Sequence, residues 1–166
     1  MSAFSQTEYM EEIPKDYGFK VELGQTVPDF DIELPDGSKT PIKNLRGKII
    51  MLQFTASWCG VCRAEMPHIE KDIWQKHKNN PNFALYGIDL GETKDKVQSF
   101  AKSTGITYPL ALDFKSDIFK LFTLEKAGVT RNIIINKEGK IVFVTRLFKN
   151  EEFEKMKKVI DDLLEK

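Results

Sequence analysis

The segment Ile49-Ile50-Met51-Leu52-Gln53-Phe54-Thr55-Ala56-Ser57-Trp58-Cys59-Gly60-Val61-Cys62-Arg63-Ala64-Glu65-Met66-Pro67 decides the reading of this chain. It opens on a nearly continuous apolar run over 49–55, the pattern of a strand covered on both faces, as in a parallel sheet. Two cysteines at i and i+3 then open a helical pattern over 59–78, with Met66, Ile69, Ile73 and Trp74 on its apolar side. At a helix start, unpaired backbone N–H groups and the positive end of the helix dipole favour a thiolate. A spacing of three puts both sulfurs on one helix face, close enough to form a disulfide and to open it by exchange. Cys59, nearer the helix end and the more exposed position, is the expected attacking thiol, and Cys62 the resolving thiol. Pro67 removes one backbone bond inside the helix and predicts a kink.

The chain has no other cysteine, so no disulfide is possible outside this pair. A Cys-x-x-Cys can also be half of a structural zinc site. That needs about four ligands, and here only His68 and His77 remain as candidates, with no second Cys-x-x-Cys. Both histidines are expected at the surface, and no metal site is expected. A soft-metal carrier using Cys59 and Cys62, with His68 as a possible third ligand, is the non-enzymatic alternative, because thiolates select Cu(I).

Working outward, Phe30, Ile32 and Leu34 alternate with Asp29, Asp31 and Glu33, and Pro35-Asp36-Gly37 turns the chain back through Thr40 and Ile42, predicting a hairpin with one wet face. Residues 83–90 form another apolar run; 132–136 and 140–147 are two more, joined through Lys137-Glu138-Gly139. Helical patterns occupy 93–104, stopped by Gly105, and 117–125, behind Ser116 as N-cap. A last helix opens at Asn150, with Phe153, Met156, Val159, Ile160, Leu163 and Leu164 on one stripe. Strands alternating with helices, closed by an antiparallel hairpin and a helix, predict a mixed sheet flanked by helices. Residues 1–23, which mix Phe4, Tyr9, Ile13, Tyr17 and Phe19 with acids, read as a leader that either packs or frays; 24–166 reads as the domain.

Composition bounds the function. With 166 residues, 41% hydrophobic and 30% charged, the chain fits one ordinary globular domain and excludes disordered, collagenous and disulfide-stapled classes. Twenty-five basic and twenty-five acidic side chains leave no net charge, which removes the footprint of a nucleic-acid binder. The balance is uneven. Residues 1–45 hold four Lys and nine Asp or Glu, an acidic segment expected to lie on a more basic body or to remain solvated. No apolar stretch approaches the ~20 residues needed to cross a bilayer, and the first residues have neither the basic nor the apolar region of a signal peptide.

The resemblance extends beyond the cysteines. The stretch Phe54-Thr55-Ala56-Ser57-Trp58-Cys59-Gly60-Val61-Cys62-Arg63-Ala64-Glu65-Met66-Pro67 resembles the active site of the TlpA/ResA branch of thioredoxin-like thiol-disulfide oxidoreductases, a branch related to the AhpC/TSA peroxiredoxins. Val27-Pro28-Asp29-Phe30, Asp36-Gly37, Leu45 and Gly47-Lys48 resemble its leading hairpin, while Asp89-Leu90-Gly91-Glu92 and Ile135-Asn136-Lys137-Glu138-Gly139-Lys140 resemble its later landmarks. The resemblance covers about residues 24–165. It implies a thioredoxin-like α/β three-layer sandwich, with a mixed central sheet, helices on both faces and an added N-terminal hairpin. It also implies protein disulfide or dithiol substrates, an upstream redox partner, a periplasmic or otherwise extracytoplasmic setting, and no cofactor beyond the Cys59–Cys62 disulfide itself. A monomer is expected.

Within that frame, Gln53 stands where cytoplasmic thioredoxins carry a buried, proton-moving Asp, and an amide cannot titrate. Glu65 matches a Glu of the ResA-like pattern and is the candidate replacement, its other reading being a solvated helix carboxylate. Trp58, Gly60, Val61, Val129, Thr130 and Arg131 are the implied substrate-docking positions. Thr130 occupies the loop position that is normally a cis-proline, so a trans bond is expected there. Arg131 reads either as a cation beside the thiols or as a surface residue. A thiol peroxidase is the second enzymatic reading, although Leu52 and Ala56 stand where peroxiredoxins resemble one another in carrying Pro and Thr. Gly60-Val61 leaves the direction of electron flow open.

Overall fold

A computed structural model describes residues 9–166 of the chain. Its seven strands are β1 (Asp31–Glu33), β2 (Lys39–Pro41), β3 (Ile49–Thr55), β4 (Phe83–Leu90), β5 (Leu110–Asp113), β6 (Arg131–Ile135) and β7 (Ile141–Arg146). The helices are α1 (Gly60–Ile69), α2 (Gln75–His77), α3 (Lys94–Thr104), α4 (Asp117–Phe122) and α5 (Asn150–Glu165). The apolar run Ile49–Thr55 is buried along its whole length because it is the middle strand of a five-stranded sheet ordered β5-β4-β3-β6-β7. It runs parallel to β4 from Ile49↔Phe83 to Thr55↔Asp89 and antiparallel to β6 from Ile50↔Ile135 to Phe54↔Arg131. Ile50, Met51, Leu52 and Phe54 are inaccessible to solvent, and burying each such side chain stabilises the fold by about 1.5–3 kcal/mol.

The strand register does more than fill the core. With Phe54 opposite Arg131, the residue just before β6, Thr130, lies beside the C-terminal end of β3. Thr55 opposite Asp89 likewise brings the end of β4 to the same edge. The loop that leaves β3 toward Cys59 therefore meets both.

The β1–β2 hairpin forms as the alternation predicts, with Ile32 turned into the core, and it stands as a separate two-stranded sheet. Helix α1 carries Pro67 internally, and three residues later the backbone widens into a π-turn over Glu70–Trp74 before closing as α2. This local disturbance takes the place of a simple proline kink.

Three details differ from the sequence expectation. The strand Leu110–Asp113 is unforeseen: four residues between two helices are too short for periodicity to reveal, and it exists by pairing in parallel with β4. Ser116 holds the N-cap position of α4, its carbonyl accepting the Lys120 N–H at 3.1 Å, but its hydroxyl does not cap the helix. The residue takes a left-handed conformation (φ 59°), while the Asp113 carboxylate accepts the Ile118 and Phe119 N–H groups at 3.1 and 2.9 Å. Helix α4 ends at Phe122 rather than 125, because the chain turns extended at Thr123 to form an antiparallel bridge with Phe19.

That bridge belongs to the leader. Lys20 N–H donates to the Phe122 carbonyl and Leu124 N–H to Gly18, both at 2.8 Å, while Val21 is buried and Tyr17 and Phe19 pack against the core. Phe4 lies outside the described residues.

Candidate active site

Cys59, separated from β3 by three residues, is extended and forms the N-cap of α1, its sulfur accepting the Cys62 N–H at 3.2 Å. Cys59 and Cys62 are joined as a disulfide with Cα atoms 5.3 Å apart. The two sides of the bond differ, since Cys59 keeps 7% of its surface exposed and Cys62 none. Around the opening, Trp58 is 69% exposed and Val61 41%, with Gly60 between them also exposed, so an apolar rim borders the reachable sulfur.

Of the other sequence-predicted positions, Thr130 is brought against the disulfide. Its hydroxyl oxygen lies 3.1 Å from Cys59 Sγ and 3.4 Å from Cys62 Sγ, with the residue almost wholly buried. The described residues contain no cis peptide bond, so Val129–Thr130 is trans. Val129 is buried beside it. Arg131 is neither a surface residue nor a cation turned to the thiols. It is fully buried, with its guanidinium donating to the carbonyls of Gly128 and Tyr17 and lying over the Phe19 ring at 4.4 Å. It ties the leader to the loop that carries Thr130, and burial, then the Arg146 charge, lowers its pKa to about 10.

Glu65, one turn beyond Cys62, is not on a solvated face. It is 1% exposed, and its Oε2 accepts the Asn132 side-chain N–H at 2.9 Å. Burial pushes its carboxyl up to about 7, with the Asn132 hydrogen bond opposing, the Glu152 charge reinforcing and the neighbouring Gln53 amide opposing. Asn132 is held in turn by Thr145, whose hydroxyl oxygen accepts both its backbone and side-chain N–H, at 3.1 and 3.0 Å. Gln53 lies opposite Asn132 in the register and accepts the Tyr108 hydroxyl at 2.8 Å. A buried polar strip thus runs under α1. Sequence reasoning found Glu65 and Gln53 but missed Asn132, Thr145 and Tyr108; the available signal was two polar residues, Gln53 and Asn132, inside otherwise apolar strands.

A pair of carboxyl groups, Asp89 and Glu92, lies behind the Ser57 turn. Glu92 is buried and accepts both the backbone N–H of Ser57, at 2.7 Å, and the Ser57 hydroxyl. Burial alone would raise Glu92, but hydrogen bonds from Asp89 and Ser57 outweigh it and hold the carboxyl below its usual range. Asp89 beside it is fully buried, and burial, with the Glu92 hydrogen bond and charge adding, pushes it up to about 9. Burial and mutual repulsion thus favour one shared proton on the pair, with Asp89 the more readily protonated member and Glu92 the more readily ionised. Arg63 Nε donates to the Ser57 carbonyl at 2.7 Å, closing the turn from the other side.

His68 is exposed and stacks on Phe148, with ring centroids 5.2 Å apart. His77 is partly buried, paired with Asp161 at 2.9 Å. Among the described residues no group of three or more His, Cys, Asp or Glu could hold a metal ion.

Comparison with known proteins gives consistent likenesses. The AhpC/TSA family model matches residues 23–144. The thiol-disulfide oxidoreductase ResA of Bacillus subtilis is 30% identical over 121 residues, covering 73% of this chain and 65% of that protein. The chain thus matches just under two thirds of that relative's length. ResA of Bacillus anthracis is 28% identical over 123 residues, covering 74% and 69%. A Bacteroides thetaiotaomicron solution structure, provisionally described as a protein disulfide isomerase, is 56% identical with a TM-score of 0.87, covering 90% of this chain and 94% of that one. A Chlorobium tepidum structure, provisionally described as the thiol:disulfide interchange protein DsbE, is 23% identical with a TM-score of 0.76, covering 87% and 99%, a likeness of fold alone.

Proposed function

Because the chain belongs to the AhpC/TSA family and has a thioredoxin-like fold, we propose that it is a thiol-disulfide oxidoreductase that exchanges disulfides of protein substrates through Cys59 and Cys62. The observation that carries this reading is the Cys59–Cys62 pair itself: one sulfur at the helix end inside an exposed apolar rim, the other sealed beneath it. In the reducing direction, the Cys59 thiolate attacks one sulfur of a substrate disulfide and the other leaves as a thiolate that takes up a proton. The Cys62 thiol then loses its proton to Glu65 and attacks Cys59, forming the Cys59–Cys62 disulfide and releasing the second substrate thiol. The substrate gains two electrons and the protein dithiol loses them; the oxidising direction is the reverse.

Glu65 suits the proton step because a carboxyl with a pKa of about 7 populates both its protonated and ionised forms near neutral pH, so it can take up a proton and give it back. Trp58, Gly60 and Val61 supply the surface on which a protein substrate docks. The redox centre is the dithiol alone. An upstream redox protein restores it, in an extracytoplasmic setting. No helix among the described residues is long and apolar enough to cross a membrane.

Dithiol-dependent reduction of a protein disulfide, measured for the wild type and for Cys59→Ser, tests the reading. Turnover that disappears in the variant is expected. Equal rates in both, or consumption of peroxide without any disulfide exchange, would overturn it.

A further inference from the structure

The hydroxyl of Thr130 touches both sulfurs of the redox pair, and the proposed exchange chemistry gives that contact no task. Disulfide sulfurs carry no proton, so in this state only the hydroxyl can donate, its one O–H directed to Cys59 at 3.1 Å or to Cys62 at 3.4 Å. Its position is fixed from behind. The Thr130 carbonyl accepts the Leu147 N–H at 2.9 Å and Arg146 Nη1 at 3.0 Å, and a β-branched side chain has few rotamers. What stays free is rotation of the O–H bond, which can aim at either sulfur without moving a heavy atom.

We infer that Thr130 is a catalytic residue whose hydroxyl donates its hydrogen bond to whichever sulfur carries negative charge, first Cys59 and then Cys62. This deepens the oxidoreductase reading and rests on it. The surroundings set the order. Cys59 Sγ has a second donor in the Cys62 N–H at 3.2 Å, whereas Cys62 Sγ has as its other neighbour the Phe54 carbonyl, 4.0 Å away, which can only accept. In the dithiol, charge therefore settles on Cys59, held by two donors, while the Cys62 S–H points to Phe54 or to the Thr130 oxygen. Attack on a substrate disulfide converts Cys59 to a neutral mixed disulfide and removes its claim on the hydroxyl. The O–H then turns to Cys62 as its proton leaves. The Cys62 thiolate attacks Cys59 Sγ, the Sγ–Sγ bond forms, the bond to the substrate sulfur breaks, and the electron pair departs on that sulfur, which takes up a proton. One hydroxyl thus serves both nucleophiles in turn.

The test replaces the hydroxyl and nothing else. Thr130→Val keeps shape and volume; Thr130→Ser restores the hydroxyl without the methyl. The other charged groups about the pair are the same in all three proteins: Glu65 on α1, Glu92 through Ser57, and Arg146 on the Thr130 carbonyl. A difference between them therefore reports the hydroxyl. On fully reduced protein, the pH profile of Cys59 alkylation by iodoacetamide should move up by about one pH unit in Thr130→Val, a tenfold loss of rate on the acid side, and should stay at the wild-type position in Thr130→Ser. In glutathione buffers the disulfide of Thr130→Val should be about tenfold harder to reduce, which corresponds to ~30 mV. A Thr130→Val profile superimposed on wild type would overturn the inference, as would Thr130→Ser behaving like Thr130→Val, since packing rather than the hydroxyl would then be responsible. Alkylation requires no turnover. An unshifted Thr130→Val profile beside a wild type that exchanges disulfides removes this inference alone, whereas a wild type that exchanges no protein disulfide removes the oxidoreductase reading and, with it, the catalytic role of Thr130, whatever the profiles show.

Discussion

Two glutamates flank the redox segment, both buried, and their environments drive them apart. Glu92, behind the Ser57 turn, accepts two hydrogen bonds from Ser57 and is held below the usual carboxylate range. Glu65, on α1, accepts one well-formed hydrogen bond, from Asn132 at 2.9 Å, with a smaller opposing effect from the Gln53 amide, so burial prevails and lifts it to about 7. The difference follows from donor count rather than residue type. A carboxylate saturated with donors is an anchor; one starved of them is a base that can exchange a proton near neutrality.

Substitutions that remove one charge at a time should separate these roles. The largest effect on turnover is expected from Glu65→Gln: release of the mixed disulfide should slow about ten- to a hundredfold, and the limb of the pH–rate profile near 7 should vanish, as rapid-quench measurement of the cross-linked intermediate would show. Stability should move the other way. A carboxyl raised from about 4.5 to about 7 binds more protons folded than unfolded between those values, so wild-type stability falls as pH rises through that window. Above it, Glu65→Gln should be the more stable protein, by an amount on the order of 1–3 kcal/mol, read as thermal midpoints at pH 5 and pH 8.

Glu92→Gln should do the opposite. Weakening the acceptor that holds Ser57 costs about 1–3 kcal/mol, while the pH dependence of mixed-disulfide release keeps its wild-type midpoint. If Glu92→Gln moves that midpoint and Glu65→Gln leaves it in place, the assignment of anchor and base is reversed. The smallest effect belongs to the rim. Trp58→Ala should raise KM for a protein disulfide severalfold, leave reaction with a small disulfide unchanged, and alter stability by no more than about 0.5 kcal/mol, because the ring is exposed.

The same contrast explains what was legible in the sequence. Strands Ile49–Thr55 and Phe83–Leu90 lie where their apolar runs end, because burial on both faces leaves a one-dimensional mark. Helix α3 starts after the cap residue Thr93 and stops at Gly105 in the left-handed conformation, both local signals. The cysteine pair was visible for the same reason, since its chemistry depends on a spacing of three. The polar support of the site was not. Asn132 meets Glu65 across 67 residues and Thr130 meets Cys59 across 71, and only the pairing of β6 with β3 brings them together. At α4 the Asp113 carboxylate, from a strand too short to show itself, supplies the side-chain acceptor that the N-cap Ser116 does not. Arg131 was misplaced because its acceptors are backbone carbonyls, one of them in the leader, and carbonyls carry no residue-type signature.

The most direct test of the central claim is to trap the covalent intermediate. Cys62→Ser, reduced and mixed with an oxidised protein substrate, should accumulate a disulfide-linked complex through Cys59, found by non-reducing electrophoresis and peptide mass mapping. Cys59→Ser, with its remaining thiol fully buried, should form none. A complex formed through Cys62 in Cys59→Ser, with none in Cys62→Ser, would contradict the assignment of attacking and resolving thiols.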